Sequence, residues 1–181
     1  MNRPIESLEG IAVGDTVVYA SHGIGHVTQK ERGADDQVEV VTLLFPEGLS
    51  ITLPTGKALQ LLRAPSGETE IAEIQRTLRA QPSTMDDSWQ VRMKTTKEKV
   101  TTGAALKLAE VIRDGAHRQP RLTAGGGLRE LSLAERQLYL KARHLLANEI
   151  AEARGVDSTD ADDWIRVQLE QASGWPTTSG R

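Results

Sequence analysis

The spacing of apolar residues changes from a period of two to a period of 3.6 near residue 65, and this change constrains the fold most strongly. Before it, residues 49–53 alternate apolar and polar side chains, which is typical of a half-buried β-strand. After it, Ile71, Ile74 and Leu78 recur at helical spacing. Residues 64–67, Ala-Pro-Ser-Gly, have the composition of a linker. The sequence therefore predicts an α+β protein in which a β domain precedes a compact all-α domain.

The first 64 residues predict a small antiparallel β half-barrel. Short runs of β-forming residues alternate with tight turns, and a hairpin tip is expected at residues 33–36. The last of about five strands is expected at residues 59–62. Small, strongly bent sheets of this kind usually bind a partner and rarely catalyse a reaction. We assign residues 1–64 to this domain and residues 65–70 to a linker.

Residues 71–154 predict a bundle of helices. One helix is expected from about Asp87 to Thr101, capped by Ser83 or Thr84. A glycine-rich loop is expected at residues 120–127, because consecutive glycines are costly in a helix.

The last long helix of this bundle begins at a predicted capping box, Ser132 to Glu135. This helix is expected to run to about Arg154, with Gly155 as its C-cap. Residues 155–181 are interpreted as an acidic, partly flexible extension with one short helix at 160–172.

Composition excludes several classes of protein. The 181 residues contain no cysteine, which excludes disulfides, thiolate metal sites and cysteine nucleophiles. No apolar run approaches the roughly 20 residues that span a bilayer. No catalytic set is recognisable, and His22 and His26 flank a tight glycine turn with no third ligand near them. We expect a cytoplasmic monomer that is not an enzyme and holds no metal or cofactor.

The charge is distributed unevenly along the chain. The net charge is −3, yet residues 71–154 carry 15 Lys or Arg against 10 Asp or Glu, a net of +5. A basic region between acidic ends is typical of a module that meets a polyanion, although such an excess is also found on ordinary helix surfaces.

Within that basic region, residues 89–99 combine one tryptophan with four cations. Trp89, Arg92 and Met93 are spaced to share one face of a helix. One interpretation places Trp89 in a core, with the cations on its solvated side. The other is a DNA-binding element in which cations contact phosphates and the indole wedges at a base step.

The order of several short motifs resembles the CarD family of bacterial transcription regulators. The matching residues are Val13 to Tyr19, His22 to Gly25, Leu49 to Pro54, Leu78 to Ala80, Trp89, Arg92, Lys94, Lys107 to Asp114, Leu131 to Arg136 and Leu140 to Arg143. The resemblance implies a Tudor-like (SH3-like) domain that docks on the RNA polymerase β subunit, partly by strand addition. It also implies a helical domain whose tryptophan enters the minor groove of promoter DNA at the upstream edge of the bubble and favours the open complex.

The resemblance also suggests which residues form the two interfaces. The DNA-binding residues are expected to be Trp89, Arg92, Lys94, Lys97, Lys141 and Arg143. The polymerase-binding residues are expected to be Lys30, Arg32, Ser50, Ile51, Thr52 and Leu53. The alternative is a polymerase- or protein-binding adaptor that does not engage DNA. An exposed Trp89 favours the regulator, and a buried Trp89 favours the adaptor.

Overall fold

A computed structural model of the chain describes residues 5–34, 37–83, 88–124 and 131–172. The strands are β1 (Thr16–Tyr19), β2 (Gly23–Arg32), β3 (Val38–Leu44), β4 (Ser50–Pro54) and β5 (Leu62–Arg63). The helices are α1 (Thr55–Leu61), α2 (Glu68–Arg79), α3 (Trp89–Thr102), α4 (Ala105–Ala124), α5 (Leu133–Arg154) and α6 (Ser158–Glu170). In the described part of the chain, no helix has both the length and the apolar character needed to cross a membrane.

The five strands form one antiparallel sheet in the order β4-β3-β2-β1-β5. Two irregularities in the pairing of β2 with β3, between Val27 and Gln29 and between Glu31 and Arg32, are β-bulges that increase the local bend and twist. One side of the sheet buries an apolar core that includes Val41, Leu43 and Phe45. The predicted half-barrel is thereby confirmed, while part of the expected hairpin tip, residues 35–36, lies outside the described residues.

The prediction of a strand at residues 59–62 is wrong for residues 59–61. Residues 55–61 form helix α1, and β5 contributes only Leu62 and Arg63 at the edge beside β1. The physical reason is that a short apolar run carries no decisive period, and here Ala58 and Leu62, four residues apart, both enter the β core.

The helical domain is built around α4 and α5. Its core includes Leu108 and Ile112 from α4 and Leu146 and Ile150 from α5, all with at most 1% exposure. Residues Ile71, Ile74 and Leu78 of α2 are buried in the same core, as their spacing predicts. Helix α6, which the sequence places in the extension, also packs there through Ala161, Ile165 and Leu169.

The predicted ends of α5 are confirmed, whereas two other predictions need correction. Ser132 and Glu135 form the full capping box, and Gly155 adopts the left-handed conformation (φ 64°). Helix α4 continues to Ala124, so residues 120–124 of the expected loop are helical; residues 125–127 lie outside the described residues.

The cap of α3 is the second correction. Ser88 caps this helix by accepting a hydrogen bond from the Val91 amide, whereas the structure pairs Ser83 with Asp114 and Arg113 of α4. The alternative cap, Thr84, lies outside the described residues. Ser83 does not cap α3 because its amide and hydroxyl are already bonded to the charged side chains of α4.

The two domains meet at a buried ion pair. The Arg63 guanidinium donates to both carboxylate oxygens of Glu149 at 2.5 and 2.6 Å, and the two side chains are only 8% and 2% exposed. Ser66 donates to the same carboxylate from its amide and its hydroxyl, at 3.0 and 2.7 Å. Beside this pair Gly103 adopts φ 61°, and a Cβ there would lie 2.2 Å from the Ala20 carbonyl oxygen. This interface fixes the position of the sheet relative to the helices.

Candidate nucleic-acid interface

Trp89 is the first residue of α3, directly after the Ser88 cap. Its side chain is 50% exposed and belongs to neither hydrophobic core. The indole Nε1 donates to Ser132 Oγ, at the start of α5, at 3.4 Å. Trp89 is therefore a half-exposed aromatic residue at the start of α3 that is hydrogen-bonded to the start of α5.

A polar network behind the indole joins α3, α4 and α5. Ser132 Oγ donates to Glu135 Oε2 at 2.9 Å, and Glu135 Oε1 accepts from Arg118 at 3.0 Å. Arg92 lies 3.8 Å from the same Oε1 and is largely covered, with 21% of its side chain exposed. Burial lowers the pKa of Arg118, although the charge of Glu135 opposes this shift. The network fixes the start of α5, and with it the acceptor of the indole hydrogen bond.

The predicted DNA-binding cations fall into two groups. Arg92 pairs with Glu135, and Arg143 forms a two-point ion pair with Asp162 of α6 that raises the pKa of Arg143 despite its partial burial. The other three predicted cations are exposed and make no ion pair with any described residue. They are Lys94 and Lys97 on α3 and Lys141 on α5.

Two further cations near α3 are also paired internally. Lys99 of α3 and Lys107 of α4 both contact Glu110, at 2.9 and 2.8 Å. Burial alone would raise the pKa of Glu110, but the hydrogen bonds and charges of the two lysines outweigh it and hold this pKa below 4.5. The contact of Lys99 with Glu110 joins α3 to α4, and both lysines are occupied by this carboxylate. The exposed lysines Lys94, Lys97 and Lys141 are therefore the cations available to a polyanion.

Sequence reasoning assigned no role to two exposed residues at the beginning of α5, the helix whose cap accepts the indole hydrogen bond. Leu133, the first residue of the helix, is 74% exposed. Arg136, three residues later, is exposed and forms no ion pair within the described ranges. The capping box could have indicated Leu133, because it fixes residue 133 as the first helical position. That the start of this helix lies beside the indole is decided by tertiary packing.

The predicted polymerase-binding strand lies at an edge of the sheet. Strand β4 pairs with β3 alone among the described strands, which leaves its outer edge open to another strand. Ser50 and Thr52 are exposed on one face, while Leu53 is buried on the other. The Thr52 hydroxyl lies 2.9 Å from the Thr42 hydroxyl of β3. The predicted residues 50–53 therefore lie together on a strand that another chain can extend.

Lys30 and Arg32 lie on β2, two strands away from that edge. Lys30 is opposite Val41, which is opposite Leu53, so Lys30 is on the core-facing side of the sheet. Its ammonium donates to the Leu8 and Ile11 carbonyl oxygens, at 2.7 and 2.6 Å. Arg32 is exposed at the end of β2. The structure thus brings residues 50–53 together and separates the two cations from them.

Both domains of the chain match models of known protein families. Residues 11–64 match the family model described as "CarD-like/TRCF RID domain", and residues 73–166 match "CarD, C-terminal domain". The chain is also 24% identical to a Bacillus subtilis (strain 168) protein named "Putative transcription factor YdeB", over 148 residues that make up 80% of this chain and 92% of that protein. The second match reaches into α6, in agreement with the packing of that helix in the core. The chain therefore belongs to the CarD family of RNA polymerase-interacting transcription regulators.

Proposed function

We propose that this chain binds the RNA polymerase β subunit through the open edge of β4 and stabilises the open promoter complex by wedging Trp89 into DNA at the upstream edge of the bubble. The observation that carries the proposal is the half-exposed indole at the start of α3. Binding is the whole mechanism, because a protein that prefers the open promoter shifts the equilibrium by its differential affinity alone.

The position of Trp89 supports a preference for open DNA. Insertion of an indole into intact duplex must first unstack a base step, which costs about a few kcal/mol. A base at the edge of the bubble is already unstacked, and stacking on it contributes roughly 1–3 kcal/mol. The same side chain therefore discriminates between two forms of one promoter.

The exposed cations support the affinity for DNA. Lys94, Lys97 and Lys141 carry charges that no described residue neutralises, so phosphates can pair with them without breaking an internal ion pair. Such contacts form with duplex and with open DNA alike. The lysines thus supply affinity, and Trp89 supplies the preference for the open form.

The edge of β4 supports the polymerase contact. An edge strand offers unpaired amide and carbonyl groups, and an extended segment of a partner can add to it as a further strand. The ion pair between Arg63 and Glu149 holds this edge in a fixed position relative to Trp89. Polymerase binding would therefore deliver the indole to one place on the promoter.

The decisive experiment compares Trp89→Ala with Val91→Ala in a promoter-complex lifetime assay. Val91 is on the same helix and is also 50% exposed, so it controls for a general effect of truncating α3. We expect Trp89→Ala to shorten the open-complex lifetime about 5- to 100-fold, as loss of one stacked base predicts. Val91→Ala should leave the lifetime within about twofold of wild type, a difference that corresponds to less than 0.5 kcal/mol.

Two results would contradict the wedge. One is a Trp89→Ala chain that no longer folds its helical domain, as judged by circular dichroism. The other is a folded Trp89→Ala chain that still binds polymerase and stabilises open promoters as well as wild type. The second result would favour the adaptor.

The polymerase contact is tested by a photo-crosslinking amino acid. Placed at Thr52 on the open edge, it should crosslink to the β subunit. Placed at Gln29, which shares the register with Thr42 and Thr52 but lies on the interior strand β2, it should crosslink far less. Equal crosslinking from both positions, or crosslinking to another subunit from Thr52, would contradict strand addition to β4.

A further inference from the structure

Leu133 is the most exposed large hydrophobic side chain in the part of the chain that the structure describes, at 74%. It contributes to neither core. Single exposed leucines are common on protein surfaces, so exposure alone assigns no role. What distinguishes Leu133 is its place in the chain, directly after Ser132, the residue that accepts the hydrogen bond of the indole.

The beginnings of α3 and α5 present the same arrangement. Each helix is capped by a serine, Ser88 or Ser132, and each has a large exposed apolar residue at its first position, Trp89 or Leu133. The hydrogen bond from the indole Nε1 to Ser132 Oγ places Trp89 against the residue that directly precedes Leu133. The first residues of the two helices, both exposed and apolar, are therefore linked through Ser132.

The charges around Leu133 indicate the kind of ligand. Arg136 lies three residues along α5, on nearly the same face, and its charge is not neutralised by any residue within the described ranges. Lys141 carries a second such charge about 12 Å from Leu133 along the helix. An apolar side chain with an exposed cation one turn away can contact DNA, in which an opened base step lies between phosphates.

We propose that Leu133 is a second DNA-contacting residue, which packs against the sugar or base beside the nucleotide on which Trp89 stacks, with Arg136 on the adjoining phosphate. This inference rests on the proposed function of Trp89. The wedge then has two apolar parts, supplied by two helices that are joined by the indole hydrogen bond to Ser132 and by the ion pair of Arg92 with Glu135.

The test compares Leu133→Ala with Leu140→Ala in the full-length chain. Leu140 is seven residues later, on nearly the same exposed face of α5 and about 10 Å further along it. It is 53% exposed, so the same truncation of an exposed leucine is made at both positions. The probes are a labelled DNA fork with an unpaired upstream edge and a fully paired duplex of the same sequence, with binding followed by fluorescence anisotropy.

We expect Leu133→Ala to weaken fork binding about five- to tenfold, as partial burial of a leucine predicts, and to change duplex binding less than twofold. Leu140→Ala should change neither. If Leu133→Ala binds the fork like wild type while Trp89→Ala does not, this inference is wrong and the proposed function stands. If neither variant is impaired, the proposed function itself fails.

One further outcome would overturn the inference in favour of a protein ligand. Leu133 and Leu140 could together form a stripe on which a polymerase segment lies. In that case both variants would weaken polymerase binding to a similar extent and leave fork binding unchanged.

Discussion

Replacement of Glu149 by alanine should lower the free energy of unfolding by about 3–5 kcal/mol, because it leaves a buried guanidinium without its counter-ion. Arg63 is only 7% exposed. In the variant it would keep its bonds to the Gly103 and Ala64 carbonyl oxygens but lose both contacts to the carboxylate. Ser66 would lose the acceptor of its amide and hydroxyl as well. Two desolvated donors and one buried charge account for the size of the effect.

Urea unfolding followed by circular dichroism measures this difference. Glu152→Ala is the matched control, because Glu152 is an exposed glutamate on the same helix and should cost less than about 0.5 kcal/mol. The double variant Arg63→Met, Glu149→Leu removes both charges and should recover the part of the loss that comes from the unpaired guanidinium, although the two Ser66 donors still lack their acceptor.

A loss below about 1 kcal/mol for Glu149→Ala, or a double variant less stable than either single one, would refute the reasoning. Glu149→Ala should also shorten the open-complex lifetime. In separate binding assays, the variant should still bind polymerase and still bind fork DNA. The variant leaves β4 and Trp89 intact and loosens only the interface that holds them in place.

Three further predictions concern other contacts. Gly103→Ala should destabilise the chain by more than about 2 kcal/mol, whereas Gly155→Ala, which is also left-handed but has open space around it, should cost about 1 kcal/mol in the same urea assay. The pKa of Glu110 is lower in the folded chain than in the unfolded one, so its ion pairs stabilise the fold above the unfolded pKa, and this contribution is lost as pH falls through the lowered folded pKa; Glu110→Gln should abolish that part of the acid sensitivity. Lys97→Ala should reduce the slope of log affinity for DNA against log salt by about 0.9, and an unchanged slope would exclude a phosphate contact.

Local patterns in the sequence were sufficient to predict those elements whose stabilising contacts lie within a few residues of one another. The capping box at Ser132 and the left-handed Gly155 define both ends of α5 through hydrogen bonds made inside the helix itself. The spacing of Ile74 and Leu78 identified a buried face, because any amphipathic helix buries its apolar side. Elements without a decisive local signal, such as α1, were misassigned.

The sequence by itself determined the order of the two domains, the family and the presence of a tryptophan within a basic helix. Only the tertiary structure decided that Arg92 and Arg143 are paired, since Glu135 and Asp162 come from other helices. It also decided that the start of α5 lies beside Trp89, because Trp89 and Ser132, 43 positions apart, meet only when α3 packs against α5. Charge and apolar character are properties of a residue, whereas their availability to a partner depends on what the fold places next to them.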